Sequence, residues 1–203
     1  MRIGKRTINL GAALLIIVSL ALAGCGDDQD QGNSGTGPAD SMFVNGMIPH
    51  HEAAVEMAED AQKRATRPEI KELADAIIES QNAEIAQMKS LQKQLPKSSA
   101  MAMSADDMQM MQDDVEEVRA ADDFDKAFML AMVPHHQMAV EMSEGVLKNG
   151  KDQEVATLAR GIISAQKKEI AEMQGWLRDW YKTSAPSSDS GMMDGHSMNH
   201  DGM

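Results

Sequence analysis

The chain has 203 residues, with 19 Lys+Arg against 32 Asp+Glu and a formal charge of −13. So acidic a chain repels nucleic acid and anionic headgroups and attracts cations, which excludes nucleic-acid partners. Its single cysteine excludes an intrachain disulfide framework, and 19 methionines beside only 3% aromatics make the thioether its most unusual side chain.

Residues 1–24 have the form of an export signal. Arg2, Lys5 and Arg6 make a basic start, an apolar run extends from about Leu10 to Ala23, and Leu22-Ala23-Gly24-Cys25 closes it. The run is short for a spanning helix. Small residues before the only cysteine resemble a lipoprotein signal, in which Cys25 is lipidated and becomes the new N-terminus. The plainer alternative is an ordinary signal with a stray cysteine. Acyl chains on Cys25 would tether the protein to a membrane without spanning it. Loss of three basic and no acidic residues takes the charge from −13 to −16. Residues 25–40 then read as a flexible polar linker.

Residues 41–95 and 123–181 are two copies of one unit. Met47-Ile48-Pro49-His50-His51-Glu52-Ala53-Ala54-Val55-Glu56-Met57 returns 85 residues later as Met132-Val133-Pro134-His135-His136-Gln137-Met138-Ala139-Val140-Glu141-Met142. From Phe43/Phe128 to Leu91/Trp176 there are 21 identities in 49 positions without a gap. Such a repeat is one supersecondary unit used twice.

In the first copy a helix is predicted from about Ser41 to Arg64, with an apolar stripe of Phe43, Met47, Ala54, Val55 and Ala58. Pro49 requires that helix to kink or to begin there. Thr66-Arg67-Pro68 makes a turn, and a second helix runs from Pro68 to about Leu95, where Pro96 stops it. Its core stripe is interrupted by Gln81 and Glu84 before Met88. Residues 96–122 form a connector in which Ser104-x-x-Asp107 caps a short helix, about Ala105 to Arg119. The second copy gives helices over about Asp123–Lys148 and Asp152–Tyr181, separated by Asn149-Gly150, with Gln166, Glu169 and Met173 repeating the interruption. Residues 182–203 are a polar tail rich in Met and His, expected to be disordered. No segment alternates with period two. The expected fold is all-α: a ferritin-like four-helix bundle from two repeated helical hairpins, plus a short connecting helix.

Equal distances from the first turn put Glu84 level with Pro49 and His50, Gln81 with Glu52, and Met88 with Asn45. The second hairpin puts Glu169 beside Pro134 and His135, and Gln166 beside Gln137. Buried carboxylates need partners, and a metal-bound His commonly gives its other N–H to a carboxylate. Glu84 and Glu169 suit that role or direct ligation, or they merely hydrogen-bond the histidines for the fold. Met47 can meet His50 or His51 at one ion. The two histidines differ by about 100° around the axis, so they need not serve the same ion. Met57 lies about 10 Å along the helix from His50 and serves a second site or the core. Met138 gives the second copy an extra thioether.

A carboxylate-bridged di-iron or di-manganese bundle uses Glu-x-x-His on two helices. Here those positions read Met47-x-x-His50 and Met132-x-x-His135, a soft donor in place of a hard one, which points to copper or silver. Met101, Met103, Met108, Met110 and Met111 in the connector agree, as do Met192, Met193, His196, Met198, His200 and Met203 in the tail.

The Met-[Ile/Val]-Pro-His-His-x-x-Ala-Val-Glu-Met core, followed by Gln-x-x-Glu-Ile-x-x-Met, resembles the bacterial family known as domain of unknown function 305, DUF305, which includes CopM-like periplasmic copper-binding proteins. The resemblance covers about residues 41–181. It implies a ferritin-like bundle in the cell envelope and binding of copper, Cu(I) or Cu(II), or silver. By motif position the ligands would be Met47, His50, His51 and Met57, then Met132, His135, His136 and Met142. The expectation is an exported, membrane-anchored lipoprotein that binds, buffers or transfers copper without turnover, with a copper-handling protein as partner. The alternatives are a di-iron or di-manganese oxidase or peroxidase, and a metal-free scaffold.

Overall fold

The computed structural model describes residues 37–97 and 103–186. The signal segment, Cys25, the linker up to residue 36, Met101 and the Met/His tail from 187 lie outside them. The described chain forms five helices: α1 (Pro38–Arg64), α2 (Pro68–Leu91), α3 (Ala105–Ala120), α4 (Phe124–Asn149) and α5 (Gln153–Tyr181). No strand occurs among the described residues, and no helix there is long and apolar enough to cross a membrane.

Local chemistry sets the boundaries. α1 starts three residues before Ser41, because Pro38 fits the first turn and the Asp40 carboxylate accepts the Gly37 N–H at 2.7 Å. α2 ends at Leu91, earlier than Leu95, and residues 92–95 continue as hydrogen-bonded turns that bury Leu95 before Pro96. Ser104 and Asp107 make the reciprocal cap of α3. Asp152 caps α5 by accepting from the Glu154 and Val155 N–H groups. Pro49 and Pro134 lie inside α1 and α4, which run through them as single helices.

α1 packs along α2 and α4 along α5, and the two hairpins meet chiefly through α1 and α4. Asp40 and Asp125, 85 residues apart, lock them together. Each is buried at the start of the first arm of its own hairpin and clasps the turn of the other hairpin. Asp125 accepts from the backbone N–H groups of Thr66 and Arg67 (2.9 and 3.0 Å) and from the Thr66 hydroxyl. Asp40 accepts from the N–H groups of Lys151 and Asp152 (3.0 and 3.3 Å). The carboxylate lies so close that a Cβ on Gly150 would stand 2.4 Å from Asp40 Oδ1, so this turn requires glycine. The reciprocal clasp shows that α1 and α4 are antiparallel about a pseudo-twofold axis.

The core is divided. One apolar layer gathers Phe43, Val44, Met47, Ile85, Met88, Leu91, Ala139, Val146, Leu158 and Ile162. The other gathers Ala54, Met57, Ala58, Ile70, Ile77, Phe128, Met129, Met132, Met173 and Leu177. Between them, on all four long helices, stands a polar waist: His50 and His51, Gln81 and Glu84, His135 and His136, Gln166 and Glu169. α3 has no counterpart in the repeat. It lies across α1 and α4, adds Val115 and Val118 to the second layer, and is tied down by Arg119, which donates to Asp60 and Glu56 at 2.6 Å.

Candidate metal centre

The waist is built from the sequence interruptions in the two apolar seams. His51 Nε2 lies 2.8 Å from Glu84 Oε2, and His136 Nε2 lies 2.7 Å from Glu169 Oε2. Both rings are fully buried, whereas the Glu84 and Glu169 side chains retain 18% and 13% exposure. The carboxylates thus reach inward from the bundle flank to grip a dry imidazole. A carboxylate only accepts here, so Nε2–H of His51 and of His136 donates, and Nδ1 is the nitrogen left facing the interior. Each Nδ1 is buried and has no protein partner.

The carboxylates were expected level with the first histidine of each pair, and they meet the second. The roughly 100° between consecutive helical residues explains this. His51 and His136 face the partner arm of their own hairpin, while His50 and His135 face the other hairpin. There the two rings meet in a tilted contact, with centroids 3.8 Å apart and planes 38° from parallel. Their contact marks the pseudo-twofold axis. Burial, then the neighbouring imidazoles, hold both well below the usual histidine range, so both are neutral and carry a lone pair at neutral pH. None of the four nitrogens of these two rings makes a hydrogen bond of normal geometry, the His135 backbone near His50 only weakly opposing the effect of burial, and both amide atoms of Gln81 and Gln166 are likewise unpaired. Unpartnered polar atoms at this density are rare in a packed interior and call for a ligand or bound water.

The thioethers flank the waist on both sides. Met47 and Met88 are fully buried in one layer, and Met132 and Met173, their repeat mates, in the other. Met57 is buried, but its mate Met142 is half-buried, as is Met138. Gln81 and Gln166 turn into the core, while Glu52 turns out to pair with Lys89. Met129 and the buried, unpartnered Ser143 hydroxyl also belong to this interior. Their repeat mates are Val44 and Ala58, so the repeat pattern gave no sign of them. Among the described residues no three His, Cys, Asp or Glu side chains converge as a metal cluster. The donors present therefore suit a cation that accepts imidazole together with thioether.

The profile of the family described as Domain of unknown function (DUF305) matches residues 40–152 and 125–203. Among solved structures, CopM in the Cu(II)-bound form is 38% identical, covering 70% of this chain and 97% of that one, with a TM-score of 0.63. CopM in the Cu(I)-bound form is 36% identical over 70% and 97%, with a TM-score of 0.59. A DUF305 fragment from Deinococcus radiodurans is 28% identical over 70% and 97%, with a TM-score of 0.62. A curated relative, uncharacterized protein L153 of Acanthamoeba polyphaga mimivirus, is 46% identical over 53 residues, which is 26% of this chain and 35% of that one.

Proposed function

The chain belongs to the DUF305 family, and from that premise we propose that it is an exported copper-binding protein that takes up, holds and hands on Cu(I), with Ag(I) as a surrogate. The observation that carries the reading is the polar waist: buried imidazole nitrogens without hydrogen bonds of normal geometry, bracketed by buried thioethers from both repeats. CopM, a relative solved with copper and silver, supports the choice of metal. Met47 with His50 or His51, and Met132 with His135 or His136, would supply the inner donors; Met57, Met88, Met142 and Met173 would complete them from the apolar layers. Glu84 and Glu169 would orient the imidazoles and raise their basicity. Neutral thioethers and imidazoles bind Cu(I) without the thiolate that would hold it nearly irreversibly, which suits transfer. Leu22-Ala23-Gly24-Cys25 supports a tether of acyl chains on Cys25, keeping the site at a membrane surface.

Anaerobic titration with Cu(I) against a chromogenic chelator tests the reading. The wild-type protein is expected to withdraw Cu(I), and a variant carrying His50→Ala and His135→Ala to lose at least tenfold in affinity. Equal affinity of the two would remove the waist from the site. Absence of any Cu(I) uptake, or of any rise in thermal stability with Cu(I), would favour a metal-free scaffold, because a ligand bound only by the folded state must stabilise it.

A further inference from the structure

The pseudo-twofold axis gives the bundle two grooves between α1 and α4, one at each end, and α3 closes one of them. Over the end that holds Met57, Arg119 binds Glu56 and Asp60, and Arg64 donates to the backbone carbonyls of Arg119 and Ala121. The repeat mates of Glu56, Asp60 and Arg64 are Glu141, Gly145 and Asn149. No second α3 exists among the described residues, and a Cβ on Gly145 would meet nothing within 4 Å. At this end lies an open groove of about 340 Å³, lined by Met42, Phe43, Met142, Gly145, Val146 and Asn149.

At the rim of this groove and one helical turn beyond it two methionines replace alanines of the other copy, and a third is less buried than its identical mate. Met42 stands where the other copy has Ala127, Met138 where it has Ala53, and the half-buried Met142 where it has the buried Met57. Met42 is 37% exposed at the rim. Met142 packs against the layer that contains Met47 and Met88. From Met142, steps of four and three lead back along one face of α4 to Met138 and His135. His135 keeps 5% exposure, whereas His50, His51 and His136 keep none. Thioethers thus descend from the rim of this groove to the waist along α4, whereas at the opposite end the exposed Met108 and Met110 sit on α3, which covers the α1–α4 surface.

We propose that this groove is the port through which a soft monovalent cation enters and leaves, with Met42 and Met142 as its first ligands and Met138 as the next. The proposal rests on the copper reading above. Transfer is stepwise exchange of one neutral donor for the next, with no change in the metal's charge. A second groove, between α2 and α5, reaches Glu169 past Glu69, Glu72 and the Lys168–Glu172 ion pair. Its carboxylates suit hard, hydrated cations, so a soft ion bound by thioethers takes the methionine route.

The test is the rate at which the protein withdraws Cu(I) from a chromogenic chelator, followed by anaerobic stopped flow. Gly145→Phe fills the groove and removes no ligand. It is expected to slow uptake at least tenfold while the amount bound at equilibrium stays the same. Met42→Leu with Met142→Leu preserves side-chain volume and removes the thioethers, and a slowing of the same size is expected. Circular dichroism confirms that each variant keeps its helices. Wild-type rates in both variants would overturn the port, and slowing by Gly145→Phe alone would overturn its thioether ligands. If the wild-type protein takes up no Cu(I), the copper reading falls and the port falls with it.

Discussion

Replacing both axial histidines by leucine, His50→Leu with His135→Leu, should make the metal-free protein more stable. Each ring buries two nitrogens without a hydrogen bond of normal geometry. Counted per ring, an unpartnered buried polar side chain costs about 1–3 kcal/mol, so the pair costs about 4 kcal/mol. Leucine is close to histidine in volume, and imperfect fit returns about 1–3 kcal/mol of the gain over the pair. The net expectation is a stabilisation of roughly 2 kcal/mol, or about 4–8 °C in Tm for a chain of this size. Urea and thermal unfolding of chelator-treated protein at pH 7.5 measure it. The same experiments across pH give an independent check. Burial keeps both imidazoles neutral in the folded state, well below the ordinary value of 6.5 that returns on unfolding. The unfolded chain then binds more protons, so wild-type stability should fall as pH drops below about 6.5, by about 3 kcal/mol per pH unit for two such groups. The double variant should lack this component. If it proves less stable than the wild type by 1 kcal/mol or more at pH 7.5, or shows the same acid slope, the waist is a satisfied structural network and the argument for a ligand fails.

Three further outcomes follow from the packing. Asp125→Ala and Asp40→Ala each orphan two backbone N–H groups in the facing turn and should cost about 2–4 kcal/mol in urea unfolding, with Asn recovering part of the loss. Gly161→Ala and Gly175→Ala, at helical positions where a Cβ meets nothing within 4 Å, should each stabilise by about 0.5–1 kcal/mol on the same assay. Arg119→Ala should leave the global unfolding midpoint nearly unchanged but raise amide exchange across 105–120, because its ion pairs to Glu56 and Asp60 tether α3 at the surface.

The all-helical fold was legible because the 3.6-residue period, the caps and the turn residues agree with one another in both copies. The meeting of each His pair with the Glu of its own hairpin followed from counting outward from the turns. That count cannot say which of two adjacent residues makes the contact, since a shift of one residue turns the side chain by about 100°, and so it put Glu84 beside His50 where the partner is His51. Nor does a single hairpin reveal the His50–His135 contact, which arises only when two hairpins close about an axis. The Asp40 and Asp125 clasps were within reach: both obey the 85-residue offset, three positions before the aligned block begins, and a conserved-spacing carboxylate at the start of a helix reads equally as an ordinary first-turn acid. What tells them apart is the other hairpin's turn, which sequence distance hides.

Duplication accounts for the twinned interior and leaves the route into it unexplained. A symmetric bundle with both α1–α4 grooves open would offer two equivalent ways to the waist, and with both closed it would offer none of this kind. The chain breaks the tie with one unrepeated helix. At the covered end Glu56, Asp60 and Arg64 hold α3; at the other end Gly145 and Asn149 replace Asp60 and Arg64, Glu141 repeats Glu56, and Met42 and Met138 replace alanines. Gly145, Asn149 and Met42 line the same groove, and Met138 lies one helical turn from Met142 on α4. The open groove forgoes apolar burial that α3 obtains at the opposite end through Val115 and Val118. Taken together, these features fit the proposed port, which opens the interior on one side.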